Sequence, residues 1–535
     1  MSNDVESSVS RRSFLRAVGV SGGAGAMFAT MGALGLAPTA AAAAAAPTFL
    51  APTHSDFNLT GRARSRVVIL GGGIAGLASA YELGKAGYDC TILEARSRAG
   101  GRNFTVRSGT VETDLDGNTQ NARFSDGVYL NAGPARLAQW MVTLDYCREL
   151  SVPIEVFTNQ NADAWIYNES AGMTKPVRYR TAKADVYGYV SELLAKATDQ
   201  GALDARLTAD DKARLLSFLQ SFGSIGNRTN GFTYTGGSRR GFSSYPGAGN
   251  DAGTLLGAPP ALSDVFASNV GRSFSFEFGY DQAMLMFQPV GGMDQIPQAL
   301  TRAIGSHRVK LGAEVTAVTD TGNGVEVTYK VGDRTSVIQA DYCIAAMPPH
   351  LMARIPHNLG TDITAALGTF PVTASGKIGL EYSSRWWETD QRIYGGITET
   401  DLDLSHIWYP SYGFHGKRGL IVGYYNTGAN ARAYSALSHA DREARAVAQG
   451  VKIHGEKYRT ELASSFSQAW DRTRYLEGAW TSPPTSSPGY NLLLQPAGRV
   501  YFAGDWLSHE VAWQHGAFMS ARAVVTALHN RVMSS

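Results

Sequence analysis

The sequence predicts a mixed α/β fold, with strand–turn–helix units near both ends of the chain. The chain has 535 residues, of which 44% are hydrophobic and 18% charged, and this suits two or three packed domains. A strand, a glycine-rich turn, a helix and a second strand follow one another over residues 66–94. A further strand, a Gly-Asp turn and a long amphipathic helix occupy residues 500–530, so both ends of the chain carry strand–turn–helix units.

The first of these units has the glycine spacing of a dinucleotide site. Gly71, Gly73 and Gly76 form the pattern GxGxxG between an apolar strand and a helix, and Glu94 ends the next strand. Glycines at this spacing let backbone N–H groups approach a pyrophosphate at the helix N-terminus, while the acid accepts hydrogen bonds from a ribose. The unit therefore predicts Rossmann-like nucleotide binding.

Three segments carry a resemblance to the flavin-containing amine oxidases. EARSRAGGR (94–102) continues the glycine unit, VKLGAEVTAV (309–318) is similar to the strand beside the adenine, and residues 498–530 are similar to the second flavin contact. The resemblance implies a discontinuous Rossmann-like FAD-binding domain. The residues it assigns to FAD are Gly71, Gly73, Ala75, Gly76, Glu94, Ala95, Arg96, Gly101, Arg102, Gly133, Pro134, Ala135, Arg136, Val315, Asp505, Ala512, Trp513 and Ala517.

Two positions depart from the family pattern, and one absence bears on how the cofactor is held. The usual acid of the C-terminal segment is Glu where this chain has Asp505, and many relatives have Gly where it has Ala512. Monoamine oxidases attach the flavin to a cysteine just upstream of the last strand, whereas residues 483–500 contain none. The resemblance therefore implies non-covalent FAD.

The resemblance also divides the chain into domains. Residues 62–145, 285–348 and 490–535 are expected to form the FAD-binding domain, and 349–489 a β-sheet substrate-binding domain with a strand in GLIVGYY. Residues 146–284 are expected to form a helical subdomain, helical over 146–225, followed by a glycine- and serine-rich loop.

The N-terminus predicts export. SRRSFLR (10–16) is a twin-arginine signal, and the alanine-rich stretch after it suits cleavage near residue 46. The apolar run between them is too rich in glycine and alanine for a stable membrane anchor. Residues 1–46 are thus expected to be a signal peptide, and the mature protein periplasmic or secreted.

Charge and cysteine content argue against a nucleic-acid-binding, a disulfide-rich and a metal-binding protein. A net charge of +2 gives no basic footprint for nucleic acid. Three scattered cysteines without a CxxC pair or a His/Cys cluster predict neither a disulfide framework nor a metal site. Relatives often dimerise, although no feature of the sequence demands a homodimer.

The chemistry that the resemblance implies requires few protein groups. Hydride passes from the carbon bearing the amine to flavin N5, water hydrolyses the imine, and dioxygen reoxidises the flavin. Lys377 matches the family lysine that holds a water against N5 and is linked to reoxidation, although a solvated strand lysine is the ordinary alternative.

Arg136, in NAGPARLAQ, matches the arginine that grips the substrate carboxylate in L-amino acid oxidases. Tyr409 matches a tyrosine whose hydroxyl reaches the same carboxylate, and Trp513 an indole that walls the pocket. A contact from Arg136 to a flavin phosphate or a surface acid, and a plain core position for either aromatic residue, are the alternatives.

The sequence thus predicts an FAD-dependent L-amino acid oxidase that forms a 2-oxo acid, ammonia and hydrogen peroxide. Three alternatives stay open: an amino-acid monooxygenase that forms an amide, an oxidase or dehydrogenase of amines without a carboxylate, and a flavin-binding assembly protein without activity. The side-chain preference is not predicted.

Overall fold

A computed structural model describes residues 57–282 and 285–535. The predicted twin-arginine signal lies outside this range and stays a prediction. Within the range, no helix has the length and apolar character needed to cross a membrane.

The helices and strands confirm the mixed α/β class. The helices are α1 (Ile74–Lys85), α2 (Thr143–Glu149), α3 (Tyr179–Asp199), α4 (Ala209–Gly223), α5 (Leu262–Ala267), α6 (Arg272–Ser275), α7 (Gln295–Ile304), α8 (Pro349–Met352), α9 (Thr361–Thr369), α10 (Trp386–Thr389), α11 (Gly428–Ser435), α12 (His439–His454), α13 (Lys457–Thr460), α14 (Pro488–Leu493) and α15 (Gln514–Ser534). The strands are β1 (Arg66–Leu70), β2 (Asp89–Glu94), β3 (Thr105–Val106), β4 (Val111–Thr113), β5 (Thr119–Asn121), β6 (Leu130–Asn131), β7 (Ile154–Thr158), β8 (Trp165–Tyr167), β9 (Val177–Arg178), β10 (Phe242–Ser244), β11 (Thr254–Leu255), β12 (Leu285–Pro289), β13 (Val309–Leu311), β14 (Ala313–Asp320), β15 (Val325–Val331), β16 (Arg334–Ala340), β17 (Tyr342–Ala345), β18 (Val372–Thr373), β19 (Ser375–Tyr382), β20 (Ile397–Thr400), β21 (His406–Trp408), β22 (Gly419–Thr427), β23 (Leu462–Ala469), β24 (Trp480–Thr481) and β25 (Val500–Phe502).

A five-stranded parallel sheet gathers strands from three distant parts of the chain. Its order is β13-β2-β1-β17-β25, and each of its strand pairs is parallel. Val67 and Ile69 pack into one apolar cluster with α1 and α15, whereas Val68 and Leu70 pack into another. Both faces of the sheet are covered, which explains the continuous apolar run of β1.

The glycine turn after β1 depends on close backbone contacts. Gly71 has φ +103°, and a Cβ there would lie 2.7 Å from the carbonyl oxygen of Ala346 in the neighbouring loop. A Cβ at Gly76 would lie 2.0 Å from the carbonyl oxygen of Gly71. The first turn of α1 is therefore packed directly against the end of β1.

A seven-stranded sheet has the order β23-β19-β22-β21-β20-β8-β9. The strand expected in GLIVGYY is confirmed as part of β22. The expectation of helix throughout 146–225 is wrong at its start, because β7, β8 and β9 lie before α3. Strand β8 pairs with β20 and β7 with β12, so these short segments are held by partners that lie far along the chain.

Contacts divide the chain into two compact units. Among the described residues, 184–259 form one unit, and 57–183 with 260–282 and 285–535 form the other. In the smaller unit, Asp185 accepts hydrogen bonds from Arg240 Nε and from the Tyr234 hydroxyl at 2.6 and 2.8 Å. The larger unit holds both large sheets and every residue discussed below.

The glycine contact of α1 gives a test of the fold. We expect Gly76→Ala to destabilise the protein by about 1–3 kcal/mol, because its new methyl must displace backbone. Gly84→Ala in the same helix is the matched control: a Cβ there meets no atom within 4 Å, so alanine is expected to be neutral or stabilising. Melting temperatures of the two variants measure the difference, and a Gly76→Ala protein as stable as Gly84→Ala would contradict this packing.

Candidate active site

A cavity of about 490 Å³ opens at the carboxyl ends of the parallel strands, lined by the chain that follows β1, β2 and β17. Ligands of α/β sheets bind at this edge, where helix N-termini and loops converge. The residues assigned to the site from sequence that line the cavity are Gly71, Gly73, Ala75, Glu94, Ala95, Arg96, Gly101, Arg102, Gly133, Pro134, Val315, Lys377, Asp505, Ala512, Trp513 and Ala517. Gly76, Ala135, Arg136 and Tyr409 do not line it.

The cavity is shaped to take a nucleotide at its glycine-rich end. A Cβ at Gly73 would meet no protein atom within 4 Å, so the missing side chain leaves cavity space open. Glu94 Oε2 accepts a hydrogen bond from Gly72 N at 2.7 Å, and Oε1 accepts one from Arg96 N at 2.8 Å. Burial raises the pKa of Glu94 and these N–H bonds oppose the rise, so backbone contacts fix the carboxylate at the end of β2.

The Arg96 side chain is engaged away from this end of the cavity. Its Nη2 donates to both carboxylate oxygens of Glu112, at 2.6 and 2.8 Å. Glu112 was not predicted as a partner of Arg96, because β4 lies outside the glycine motif. Arg96 therefore lines the cavity while its positive charge is paired with Glu112.

Asp505, which also lines the cavity, joins two segments. It forms an ion pair with Arg102, and its Oδ2 accepts a hydrogen bond from Ala512 N at 2.8 Å. Ala512 has φ +69°, a left-handed conformation that disfavours residues with a Cβ and explains why glycine suits this position. Helix α15 begins directly after Trp513, and Gln514 and Ala517 of its first turn line the cavity.

Lys377 is a buried lysine without a carboxylate at salt-bridge distance among residues 57–282 and 285–535. It is 3% exposed, and its Nζ donates to the carbonyl oxygens of Gly133 and Asn131 at 2.5 and 3.2 Å. The ammonium lies 4.8 Å from the ring centre of Trp408 and 5.0 Å from that of Tyr425. Burial, with the charge of Arg136 adding to it, lowers the pKa of Lys377 to about 7.

Arg136 is a second buried cation beside the same indole. It is 9% exposed, and its Cζ lies 4.9 Å from the ring centre of Trp408 and 5.4 Å from that of Phe276. Its Nη1 donates to Asn159 Oδ1 at 2.5 Å. In the described part of the chain no carboxylate lies within 4 Å of it, and burial lowers its pKa to about 10.

The pairing of β19, β22, β21 and β20 explains which aromatic residues face these cations. Lys377 pairs with Tyr425 across β19 and β22, and Ile397 pairs with Trp408 across β20 and β21. Directly paired residues lie on one face of a sheet, and neighbours in sequence lie on opposite faces. Tyr425 therefore lies on the same face as Lys377, and Trp408 on the same face as Ile397.

The structure does not bring Tyr409 to Arg136, in contrast to the expectation from sequence. Its hydroxyl lies 2.7 Å from that of Thr398 and 3.0 Å from His454 Nε2, within a separate apolar cluster. Trp408 and Tyr425 lie near Arg136 instead. Tyr409 follows Trp408 directly, so it leaves the strand on the face away from the site.

Trp513 packs against the apolar cluster that contains Trp408 and Ala135, and its indole Nε1 donates to Asp281 Oδ2 at 3.1 Å. The structure therefore brings Arg136 and Lys377 to one indole ring, that of Trp408, and places Trp513 against the cluster to which this ring belongs. Sequence reasoning missed Trp408, Tyr425 and Asn159, and strand alternation was the signal that could have found the two aromatic residues.

Comparisons with known proteins bear on the family. The family model of the flavin containing amine oxidoreductases matches residues 74–529. L-amino-acid oxidases of Pseudechis australis and Vipera ammodytes ammodytes are each 28% identical to this chain over 84% of it, and over 83% and 89% of their own lengths.

Solved structures share the fold at lower identity. Cyclohexylamine oxidase from Brevibacterium oxydans IH-35A is 17% identical with a TM-score of 0.59, over 88% of this chain and 100% of that one. Putrescine oxidase bound to putrescine is 19% identical with a TM-score of 0.55, over 89% and 100%. Because the family match spans most of its length, this chain belongs to the flavin containing amine oxidoreductase family, which implies a flavin cofactor.

Proposed function

We propose that this chain is an FAD-dependent L-amino acid oxidase that uses dioxygen as acceptor. The observation that carries the proposal is Arg136, a buried guanidinium with no carboxylate at salt-bridge distance among the described residues. A buried charge without a counter-ion is costly, and a ligand carboxylate would supply one. The snake L-amino-acid oxidases that resemble the chain over most of its length support the same substrate class.

The cofactor that we propose is non-covalent FAD. The open space beside Gly73, the fixed Glu94 carboxylate and the start of α15 suit a dinucleotide that carries a flavin. Cys90, Cys147 and Cys343 are buried in the core, and no cysteine is among the described residues that line the cavity. This lining is consistent with a cofactor that dissociates from the protein. Acid precipitation tests this expectation: yellow colour that stays in the protein pellet would contradict non-covalent binding.

When bound, the flavin accepts a hydride from the carbon that bears the amine and passes the electrons to dioxygen, and water hydrolyses the imine to a 2-oxo acid and ammonia. Arg136 would bind the carboxylate with its planar fork and so fix the reacting carbon. The aromatic rings of Trp408, Tyr425 and Trp513 would exclude water, and an apolar site favours the neutral amine that reacts. No dedicated base is required for this step.

Export by the twin-arginine route is part of the proposal. Its support is the SRRSFLR stretch near the N-terminus, and a route that carries folded proteins suits a chain that acquires its cofactor before transport. Release of the mature protein into the periplasm or medium, lost on changing Arg11 and Arg12 to lysine, is the expected result.

Anaerobic mixing of the purified yellow protein with each of the twenty L-amino acids tests the substrate class. We expect at least one to bleach the flavin, and aerobic turnover of that substrate to give equal amounts of ammonia and hydrogen peroxide. An amide product would instead identify a monooxygenase. Bleaching by simple amines alone would reject the amino-acid assignment, and no bleaching by any amine would favour a flavin-binding protein without activity.

Arg136→Ala tests the carboxylate contact. We expect kcat/KM for the best L-amino acid to fall at least about 30-fold, because the carboxylate loses a buried charged partner. The amine that results from removing the carboxylate of that substrate should be affected much less. Arg459→Ala, which removes an arginine that is 51% exposed, is the control. Equal losses for the acid and the amine would show that Arg136 does not hold the carboxylate.

Lys377→Met tests the role of the buried lysine in reoxidation. We expect stopped-flow measurements to show reoxidation by dioxygen slowed on the order of 10²-fold and flavin reduction by only a few-fold, since the lysine is proposed to hold a water for the oxygen reaction. Lys457→Met, at a side chain that is 53% exposed, is the matched control. Equal slowing of both half-reactions would reject this role.

A further inference from the structure

Glu399 carries an acid onto the sheet face that holds the proposed site. It pairs with His406 across β20 and β21, two residues along from the Ile397–Trp408 pair, so it lies on the face of Trp408. The strand order β19-β22-β21-β20 sets Glu399 three strands from Lys377, or about 14 Å at the usual strand spacing. The charge of Arg136 acts on Glu399, so the acid lies within electrostatic range of that cation.

A second acid lies on the segment that follows α6. The segment that contains α6 places Phe276 against Arg136, and the next residue, Glu277, has a side chain only 7% exposed. Glu277 Oε1 accepts a hydrogen bond from Lys183 at 2.6 Å. Its Oε2 is buried and has no hydrogen-bond partner within the described chain, so one carboxylate oxygen of a buried acid is unoccupied.

The two acids and Arg136 influence one another electrostatically. Burial raises the pKa of Glu399 to about 7; a hydrogen bond with Ser273 and the charge of Arg136 oppose the rise, and the charge of Glu277 adds to it. Asp281, on the same segment as Glu277, adds a further negative charge near Arg136. Arg136 thus interacts with these acids at longer range, although none of the described carboxylates lies at salt-bridge distance from it.

Binding of a carboxylate changes that balance. A carboxylate on Arg136 cancels the positive charge with which Glu399 and Asp281 interact, and adds a further negative charge to the surroundings of these acids. A cationic group supplied by the same ligand would restore neutrality and could occupy the free Oε2 of Glu277. A ligand with a neutral side chain supplies neither a compensating positive charge nor a cationic partner for Oε2 of Glu277.

We infer that the preferred substrate carries a cation at the end of its side chain, a guanidinium or an ammonium bound by Glu399 with Glu277 beside it. This inference rests on the proposed function, because it takes the carboxylate to lie on Arg136. It names a substrate class, the basic L-amino acids, that the family assignment leaves open. The selecting residues come from β20 and from the segment after α6.

Matched substrates test the inference without any change to the protein. L-Arginine and L-citrulline have side chains of the same length, and only the arginine side chain ends in a cation. L-Lysine and L-norleucine form a second pair, in which norleucine lacks the terminal ammonium group. We expect kcat/KM of the unmodified holoenzyme to favour the cationic member of at least one pair by about tenfold or more, since that member alone pairs with a buried acid. Citrulline and norleucine oxidised as well as their cationic partners would overturn the inference while leaving the proposed function standing.

Two variants of Glu399 test whether this residue causes the preference for a cationic side chain. Glu399→Gln should reduce the cationic-to-neutral ratio of kcat/KM by about tenfold or more, and Glu399→Asp should retain part of it. Glu326→Gln, in β15 of the separate three-stranded sheet, is the control and should keep the full ratio. Flavin content per chain reports folding, and Glu277→Gln provides the second test if Glu399→Gln does not retain flavin. An unchanged ratio in folded Glu399→Gln would overturn the assignment, and a protein whose flavin no L-amino acid reduces would fail the proposed function itself.

Discussion

The contact between Gly133 and the carbonyl of Arg102 couples the cofactor cavity to the cations beside it. A Cβ at Gly133 would lie 1.9 Å from that carbonyl oxygen, so only glycine lets the two segments meet. The side chain of the same Arg102 forms an ion pair with Asp505. On the other side, the carbonyl of Gly133 accepts the hydrogen bond of Lys377, and the chain reaches Arg136 three residues later. Both sets of side chains are therefore fixed by one close approach of backbone.

Desolvation then sets the electrostatics of the region that this contact shapes. Lys377 and Arg136 lie on one indole ring, and burial lowers the pKa of each. A lysine with a pKa of about 7 exchanges its proton near neutral pH, whereas an arginine with a pKa of about 10 keeps its charge there. The site thus holds one permanent cation, suited to a ligand anion, and one cation that changes its charge easily.

Most residues assigned to the cofactor from sequence come together at one cavity, whereas Arg136 and Tyr409, assigned to the substrate, do not line it. The glycines, Glu94 and the start of α15 act through contacts within a few residues of one another, so their spacing is visible in the sequence. Tyr409 was misplaced because a single step along a strand reverses the face, and the sequence does not show which face is buried against Arg136.

The strands within 146–178 and the role of Glu399 were out of reach for the same physical reason. Strand β8 exists as a strand because it pairs with β20, and Glu399 gains its setting from Ser273, Glu277 and Arg136. These partners are separated by 100 residues or more along the chain. Propensity and periodicity describe neighbours in sequence, and neither contains information about a partner across the fold.

The two departures from the family pattern at the C-terminal segment are physically connected. One oxygen of Asp505 is engaged by Arg102 and the other by the backbone N–H of Ala512, so the shorter acid holds the turn that leads into α15. Ala512 keeps a left-handed conformation that costs a residue with a Cβ about 1–2 kcal/mol, and the hydrogen bond to Asp505 offsets part of that cost. The carboxylate therefore helps to fix the turn that leads into α15, whose first turn lines the cavity. A flavin held there would meet the positive end of the helix dipole, and Asp505 would help to keep that helix terminus in place.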